Sequence, residues 1–384
     1  MSFDAAVFFL SVLLVLYVYA GYPALAMVLG PVLHRTIQRA EPGRFQPTVT
    51  VVIAAYNEAA SIGETVRNKL DLSYPAEKLN VIVVSDQSDD GTDEIVTAIG
   101  DPRVTLLRQT ERAGKTAALN LAMKQVDSEI IVFSDANSLY RADTLNNLLA
   151  PLADPAVGYV TGRMVYRAPD GSLTGEGCSA YMTYENALRS VENQLGSIVG
   201  VDGGVDALRR SLFTELRPDQ LPDFVQPLHV IQQGYRVVYE PQALLYEDAL
   251  ADAEDEFRMR VRVGLRAFHG LKDMAQLFNP LRYGLFAWQL LSHKVLRYMV
   301  FLFMLTALLS NLSLALDGGP IWRLLLAGQG ALLLTAVWGH LTRRGNPPRL
   351  VGWVYYFFVV NLASGLAFWQ FLLGRKQVIW KPRT

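Results

Sequence analysis

The sequence predicts an α/β domain with a doubly wound, mostly parallel sheet, inserted between membrane-spanning helices. Three observations predict it. Short β-branched runs alternate with helix-like stretches between residues 45 and 255, the pattern of strands joined by crossover helices. Those runs end in polar loops carrying a carboxylate, an amide or a lysine. Apolar stretches long enough to cross a bilayer flank the domain on both sides.

The N-terminal apolar run covers 5–33, interrupted by Ser11, Gly21 and Pro23. It starts with MSFD, which has no base, and the bases follow it at His34, Arg35 and Arg39. That order predicts an uncleaved anchor with Arg35 inside, not a signal peptide. We assign 1–40 to this anchor, and 41–47 reads as a linker. The domain at 45–255 opens with strand-like runs at 48–55, 80–86, 104–109 and 129–136. Helix-like stretches follow at 59–70, 93–99, 115–126 and 142–152. Ligands of such sheets sit at the carboxyl ends of the strands. Asn57, Asp86 and Asp135 all fall there.

Residues 256–294 read as amphipathic or interfacial helices, with an aromatic mixed stretch at 279–292. Three apolar runs follow in the region 295–384, at 295–316, 321–341 and 350–373. The middle run carries Arg323 and Gln329 and is the weakest span. The basic loop 342–349 reads as cytosolic and the base-free loop 317–320 as external. Four spans place the C-terminus outside, whereas its basic tail argues for inside. The expected location is an integral membrane protein, of the bacterial inner membrane, with a cytosolic catalytic domain.

The net charge is −1, so no global basic field favours nucleic acid as a partner. The single cysteine, Cys178, cannot form an internal disulfide and reads as a small packed residue.

The loops carry the chemistry. Ala55-Tyr56-Asn57-Glu58 offers amides and a carboxylate to a base or ribose, or Asn57 caps the following helix. Asp86 can accept a hydrogen bond from a pyrimidine N–H, or serve as a cap; Asp89, Asp90 and Thr92 read as turn and capping groups. In Arg112-Ala113-Gly114-Lys115, the glycine lets the backbone approach a ligand. Lys115 then projects a charge at a helix start, where phosphate is favoured. The stretch is not a Walker loop, because its GxxxxGK[ST] spacing is absent. Asp135 and Asn137 follow an apolar strand directly. A carboxylate buried there needs a positive partner, and a Mg²⁺ or Mn²⁺ ion bridging a diphosphate supplies one.

Further along, Asp202-Gly203-Gly204 precedes a predicted helix at 205–212 and leaves room for an acceptor or sugar ring, or forms a simple turn. Asp223 stands at a probable helix start, as a cap or as a base for an acceptor hydroxyl. Four arginines between 256 and 266 suit a diphosphate or anionic lipid headgroups.

Together, AAYNE (54–58), SDQSDDGT (85–92), RAGKTAALN (112–120), SDANS (134–138), GGVDALRR (203–210) and the 222–241 stretch resemble the membrane-embedded family 2 glycosyltransferases. That group includes cellulose, hyaluronan and poly-N-acetylglucosamine synthases. The resemblance implies a GT-A fold and an inverting, metal-dependent transfer from a UDP-sugar. By carry-over, the loop of Ala55, Tyr56, Asn57 and Glu58, with Asp86, holds the uridine. Lys115 contacts the diphosphate, Asp135 holds the metal with help from Asn137, and Asp223 is the general base. Arg262 matches the arginine of the family's QxxRW motif over the nucleotide pocket. Asp202, Gly203 and Gly204 face the acceptor, as does Trp380, which resembles the family's C-terminal gating-loop tryptophan.

The chain departs from the family at Pro222, where an acid usually precedes the base. It departs again at Met259 and Val263, which stand for the Gln and Trp of QxxRW. Processive members use that Trp near the acceptor. The expected reaction moves a sugar from a UDP-sugar to the hydroxyl of a saccharide or lipid-linked acceptor at the cytosolic membrane face, for an extracellular polysaccharide or a glycolipid. Membrane lipids are the other expected partner. Two rivals stand beside it: a polyprenyl-phosphate glycosyltransferase, and a non-catalytic transport or scaffold protein with a degenerate nucleotide fold.

Overall fold

The computed structural model describes the chain except residues 168–172, 249–252, 318, 344–347 and 380–384. The expectation for Trp380 falls outside the described residues, and that for Cys178 outside the described side chains.

Among the described residues, eight strands form one sheet: β1 (Val49–Ala55), β2 (Leu79–Ser85), β3 (Val104–Arg108), β4 (Ile130–Asp135), β5 (Leu139–Tyr140), β6 (Val157–Arg167), β7 (Asp206–Arg209) and β8 (Arg236–Asp248). Their order is β3-β2-β1-β4-β7-β6-β8-β5. The first four positions are parallel, with Ile53 beside Val83 and Ser134. Both faces of β1, β2 and β4 are buried, whereas the edge strand β3 is partly exposed. Val52, Ala54, Ile82 and Phe133 pack on one side, and Val51, Ile53, Val83 and Val132 on the other. Burial on two faces explains why these strands read as unbroken apolar runs.

The second half is mixed, unlike the mostly parallel sheet expected. β7 runs antiparallel to both β4 and β6, while β6 and β8 are parallel. The helix expected at 205–212 is instead β7 followed by a 3₁₀ turn, Arg210–Leu212. β7 lies inside the sheet, where Val205, Asp206, Ala207 and Leu208 are all buried. A backbone there must satisfy neighbours on both sides, so ladder pairing overrides local propensity. The structure also has a 23-residue helix, Leu173–Leu195, to which the sequence analysis assigns no element.

Among the described residues, three helices are long and apolar enough to cross a membrane: Phe3–Val32, Pro320–Leu341 and Arg349–Leu372. A fourth crossing requires Leu285–Leu296 and Val300–Leu316 to act as one span, bent by 59°. The helix in the expected 295–316 run is thus only 17 residues long by itself. Polar groups pair between these helices: Ser11 meets Thr306 at 2.8 Å, and the Asn311 and Gln329 amides meet at 2.8 Å. Gln329, the mark against its span, therefore has a partner on a neighbouring helix.

The first helix also joins the interior of the domain. Tyr22 is fully buried and donates to Glu192 on the Leu173–Leu195 helix. Glu192 also meets His293 at 2.7 Å. Tyr17 bonds Ser292 at 2.8 Å and accepts from Trp288 at 2.9 Å.

Candidate active site

The loops after β1 and β2 lock together. Asn57 adopts φ +53° and Gln87 φ +65°, left-handed backbone that non-glycine residues enter only when held there. Asn57 Nδ2 donates to Asp89 Oδ1 at 2.8 Å, and the Asp89 N–H returns a bond of 3.0 Å to Asn57 Oδ1. The Asn57 N–H reaches Ser88 Oγ at 3.1 Å. Asn57 thus clamps one loop to the other instead of capping a helix. The Glu58 N–H donates to Thr92 Oγ1 at 2.9 Å, and the Glu58 carboxylate accepts from Ser61 at 3.0 Å. Tyr56 stacks under the Arg112 guanidinium at 3.6 Å. Ala55, the last residue of β1, accepts the Asp86 N–H at 2.8 Å.

Asp86 is fully buried. Its carboxylate accepts from Gln109 Nε2 at 2.6 Å, the Ala113 N–H at 2.8 Å and the Gly114 N–H at 3.0 Å. Burial pushes its carboxyl above the ordinary value, against the pull of the two backbone N–H groups and Arg112. Asp86 therefore positions the Gly114-Lys115 turn from beneath. Gly114 has φ +90°, and a Cβ there would lie 2.6 Å from the Val378 carbonyl oxygen. Only glycine admits that approach of the C-terminal segment.

Lys115 opens the Lys115–Met123 helix and projects between two acids. Its Nζ lies 2.7 Å from Asp135 Oδ1, and 3.4 Å and 3.5 Å from the two oxygens of Asp223. Burial opposes its charge, yet the two carboxylates hold the ammonium well above its usual pKa. Burial raises the Asp223 carboxyl, the charge of Asp135 adds to that rise, and Lys115 and Arg266 counter it. Asp223 sits in the first turn of the Pro222–Gln232 helix. Gly203, at φ +82°, lies so close that a Cβ would fall 2.6 Å from Asp223 Cγ. Gly204 leaves similar room for Leu245, Ser138 and Glu247. The fold thus brings Lys115, Asp135, Asp223 and Gly203 together.

Three other sequence-selected residues sit differently. Asn137 is half-buried in the turn after β4, two residues beyond Asp135. Asp202 is turned inward, paired with Arg189 at 2.5 Å and accepting the Met164 N–H at 3.0 Å. Arg262 lies on the Ala253–Asp273 helix, where its charge acts on Arg266.

The arginine that ties this helix to the site is Arg266. It donates to Thr116 Oγ1 at 3.0 Å and to the carbonyls of Asp219 and Gln220. The sequence analysis noted this arginine run but singled out Arg262. Gln109 and Asp206 were also missed. Asp206 accepts the Gly203 N–H at 3.0 Å, and burial raises its carboxyl to about 7. Gln109 ends a strand-like run, and Asp206 lies within GGVDALRR, in the stretch read as a helix, so neither stood out as a site residue.

Among the described residues no group of three or more His, Cys, Asp or Glu side chains is arranged to hold a metal. The chain instead offers Asp135, in a place where two carboxylates already converge on a positive charge. That donor set fits a hard divalent cation completed by ligand oxygens.

Residues 50–217 match the model of glycosyl transferase family 2. Among curated proteins, the chain is 26% identical over 206 residues to the poly-β-1,6-N-acetyl-D-glucosamine synthase of Staphylococcus aureus, covering 52% of this chain and 49% of that protein. It is 28% identical over 168 residues to the β-monoglucosyldiacylglycerol synthase of Trichormus variabilis, covering 43% and 36% respectively. The chain thus spans half or less of the curated relatives it matches. Among solved structures, the mannosyltransferase PcManGT of Pyrobaculum calidifontis, in complex with GDP-Man and Mn²⁺, aligns with a TM-score of 0.74 at 26% identity, covering 96% of this chain and 99% of that one. The mixed sheet, its convergent loops and these matches agree: residues 50–217 form a domain similar to glycosyl transferase family 2, on a GT-A-like fold.

Proposed function

We propose that the chain transfers a sugar from a UDP-sugar to an acceptor hydroxyl at the cytosolic membrane face, with inversion at the anomeric carbon. The observation that carries this reading is the Lys115 ammonium shared between Asp135 and Asp223. A donor diphosphate at the start of the Lys115 helix competes for that ammonium. Lys115 then swings toward the phosphates and leaves Asp223 a bare carboxylate. Asp223 accepts the acceptor's O–H proton as the oxygen attacks the sugar carbon opposite the leaving group. The C1–O bond breaks, its electrons stay with the diphosphate, and UDP departs. Burial lifts the Asp223 carboxyl above its ordinary range, which makes it a stronger base at neutral pH.

Asp135, with Asn137 beside it, would hold Mg²⁺ or Mn²⁺. Such an ion neutralises diphosphate charge, and the mannosyltransferase of similar fold was solved with Mn²⁺. The Ala55–Glu58 loop, Asp86 and Arg262 complete the proposed donor side. Gly203 and Gly204 form the proposed acceptor side, with Asp202 bracing them from behind through Arg189, and a role there is also proposed for Trp380.

UDP is the donor nucleotide expected from the resemblance, with Asp86 shaping the loop beneath it, and GDP-mannose, bound by the structural relative, is its competitor. The test is nucleoside diphosphate release by purified protein over a panel of UDP-sugars and GDP-mannose, with and without Mn²⁺. Release from a UDP-sugar, dependent on Mn²⁺ and yielding a β-linked product from an α-linked donor, is expected. Release from GDP-mannose alone overturns the uridine assignment, and retention of the α configuration overturns the role of Asp223. Asp223→Asn also separates a hydroxyl acceptor from a polyprenyl phosphate, which needs no base and would tolerate the change.

A further inference from the structure

A lysine with no part in the proposed reaction lies wholly inside the domain. Lys69 stands in the last turn of the Ile62–Leu70 helix. It continues the stripe of Ile62 and Val66, and all three are 0% exposed. At that spacing a helix faces its core, where an apolar side chain is the rule. A lysine there needs partners that offset its dehydration. Its Nζ donates to the Ser138 carbonyl, and to Asn68 Oδ1 at 3.1 Å. It also lies 3.7 Å over the centre of the Tyr140 ring. Glu247, near the end of β8, is the carboxylate whose charge acts on it.

These contacts converge on the turn after β4. Asp135 ends that strand, so the sheet holds its backbone, whereas residues 136–138 lie outside any strand. Ser138 is fully buried, and each of its polar groups is engaged. Its N–H donates to the Asp135 carbonyl at 3.3 Å, its carbonyl accepts from Lys69, and its hydroxyl donates to Glu247 Oε1 at 2.6 Å. Asn68 holds the next step of the chain. Its Nδ2 donates to the Tyr140 carbonyl at 2.9 Å, and its Oδ1 accepts the Tyr140 N–H at 2.7 Å. The turn is therefore pinned from below by two neighbouring residues of one helix and by one acid of β8.

The pinning matters most when Asp135 loses its other restraint. In the structure Lys115 holds the Asp135 carboxylate at 2.7 Å. In the proposed reaction Lys115 turns to the phosphates. What then aims Asp135 and Asn137 is the backbone that carries them. Groups behind metal ligands set their aim, and losing one costs about 10- to 100-fold in metal affinity. We propose that Lys69 and Glu247 are positioning residues for the divalent cation: through Ser138 they fix the turn that presents Asp135 and Asn137 to it. The inference rests on the reading of those two residues as metal ligands.

The test is Mn²⁺ binding to the full chain in detergent with UDP present. It is read as loss of the free ion's electron paramagnetic resonance, relative to UDP without protein. Lys69→Met should raise the Kd for Mn²⁺ about tenfold or more. It also leaves the buried Glu247 facing one positive charge fewer, so the thermal midpoint should fall. Lys69→Met combined with Glu247→Gln removes both charges. The pair should recover the midpoint but not the Mn²⁺ affinity, because methionine cannot donate to the Ser138 carbonyl. Recovery of both overturns the inference, since the two charges then serve the core alone. Leu148→Ala opens a cavity in the same apolar core as Ile62 and Val66. It should lower the midpoint and leave Mn²⁺ binding unchanged; an equal loss of binding there also overturns the inference. If the lysine variants fail to fold, Ser138→Ala decides. It removes the bond to Glu247 and should raise the Kd about fivefold, as for one hydrogen bond, and an unchanged Kd overturns the inference. If the unaltered chain takes up no Mn²⁺, the metal reading falls and takes this inference with it. Uptake that ignores Lys69→Met sinks this inference alone.

Discussion

The two halves of the sheet reach the same cleft by different means. β1, β2 and β4 deliver their side chains from parallel strands buried on both faces. Each loop follows its strand directly, so strand and function are read in one pass along the chain. β7, β6 and β8 form the other wall from strands of mixed direction. There the useful groups are buried acids and the arginine that meets one of them, such as Asp206 and the Arg189–Asp202 pair. The difference teaches that a parallel half advertises its site locally, whereas a mixed half hides it in contacts between distant segments.

That contrast can be broken by mutation. The largest effect is expected at the junction of the halves. Asp223→Asn should lower kcat by about 10²- to 10⁴-fold, with nucleotide affinity by calorimetry nearly unchanged. On the proposed mechanism the same group sets the pH dependence. A base works only when ionised, and the Asp223 carboxyl is raised above its ordinary value by burial. Activity should therefore fall as pH drops through a pKa above the usual carboxylate range, and the Asn variant should lack that limb.

Next come two substitutions that should act on one side each. Asp86→Ala removes the anchor of the Ala113 and Gly114 N–H groups. The donor KM should rise about tenfold, as expected for about 1–3 kcal/mol lost with a buried acceptor, and the acceptor KM should hold. Gly203→Ala puts a methyl 2.6 Å from Asp223 Cγ at φ +82°. Strain of about 1–3 kcal/mol should lower turnover roughly tenfold or more and leave donor affinity alone. If both variants damage donor and acceptor kinetics equally, the halves do not divide the labour.

The smallest expected effect concerns stability. Asp206, with its carboxyl raised to about 7, binds a proton in the folded chain that the unfolded chain has released between about pH 4 and 7. Its contribution to stability is therefore lost as pH rises through that window. Asp206→Asn keeps an acceptor for Gly203 without the titrating charge. It should stabilise the fold at pH 8, seen as a higher thermal midpoint, and change little at pH 4.

The same contrast sets how much could be read from sequence. The four parallel strands and the loops at 57, 86, 115 and 135 follow from apolar runs that stop at polar residues. What stayed hidden depends on partners far along the chain. Lys115 finds Asp135 20 residues away and Asp223 108 residues away, and no local spacing encodes that triangle. β7 was expected as a helix because its pairing comes from β4 and β6. Arg262 was preferred to Arg266 by motif position, whereas it is Arg266 whose donors reach Thr116 and Gln220.

The first helix is more than a segment apolar enough to cross a membrane. Tyr22 and Tyr17 reach Glu192 and Ser292, so the membrane segment supplies part of the interior on which the catalytic half is built. A tether could be exchanged for any other greasy sequence; this one could not. A chain shortened to begin after residue 33 would leave Glu192 and His293 facing the space that Tyr22 had filled, and solubility gained at one end would be lost at the middle.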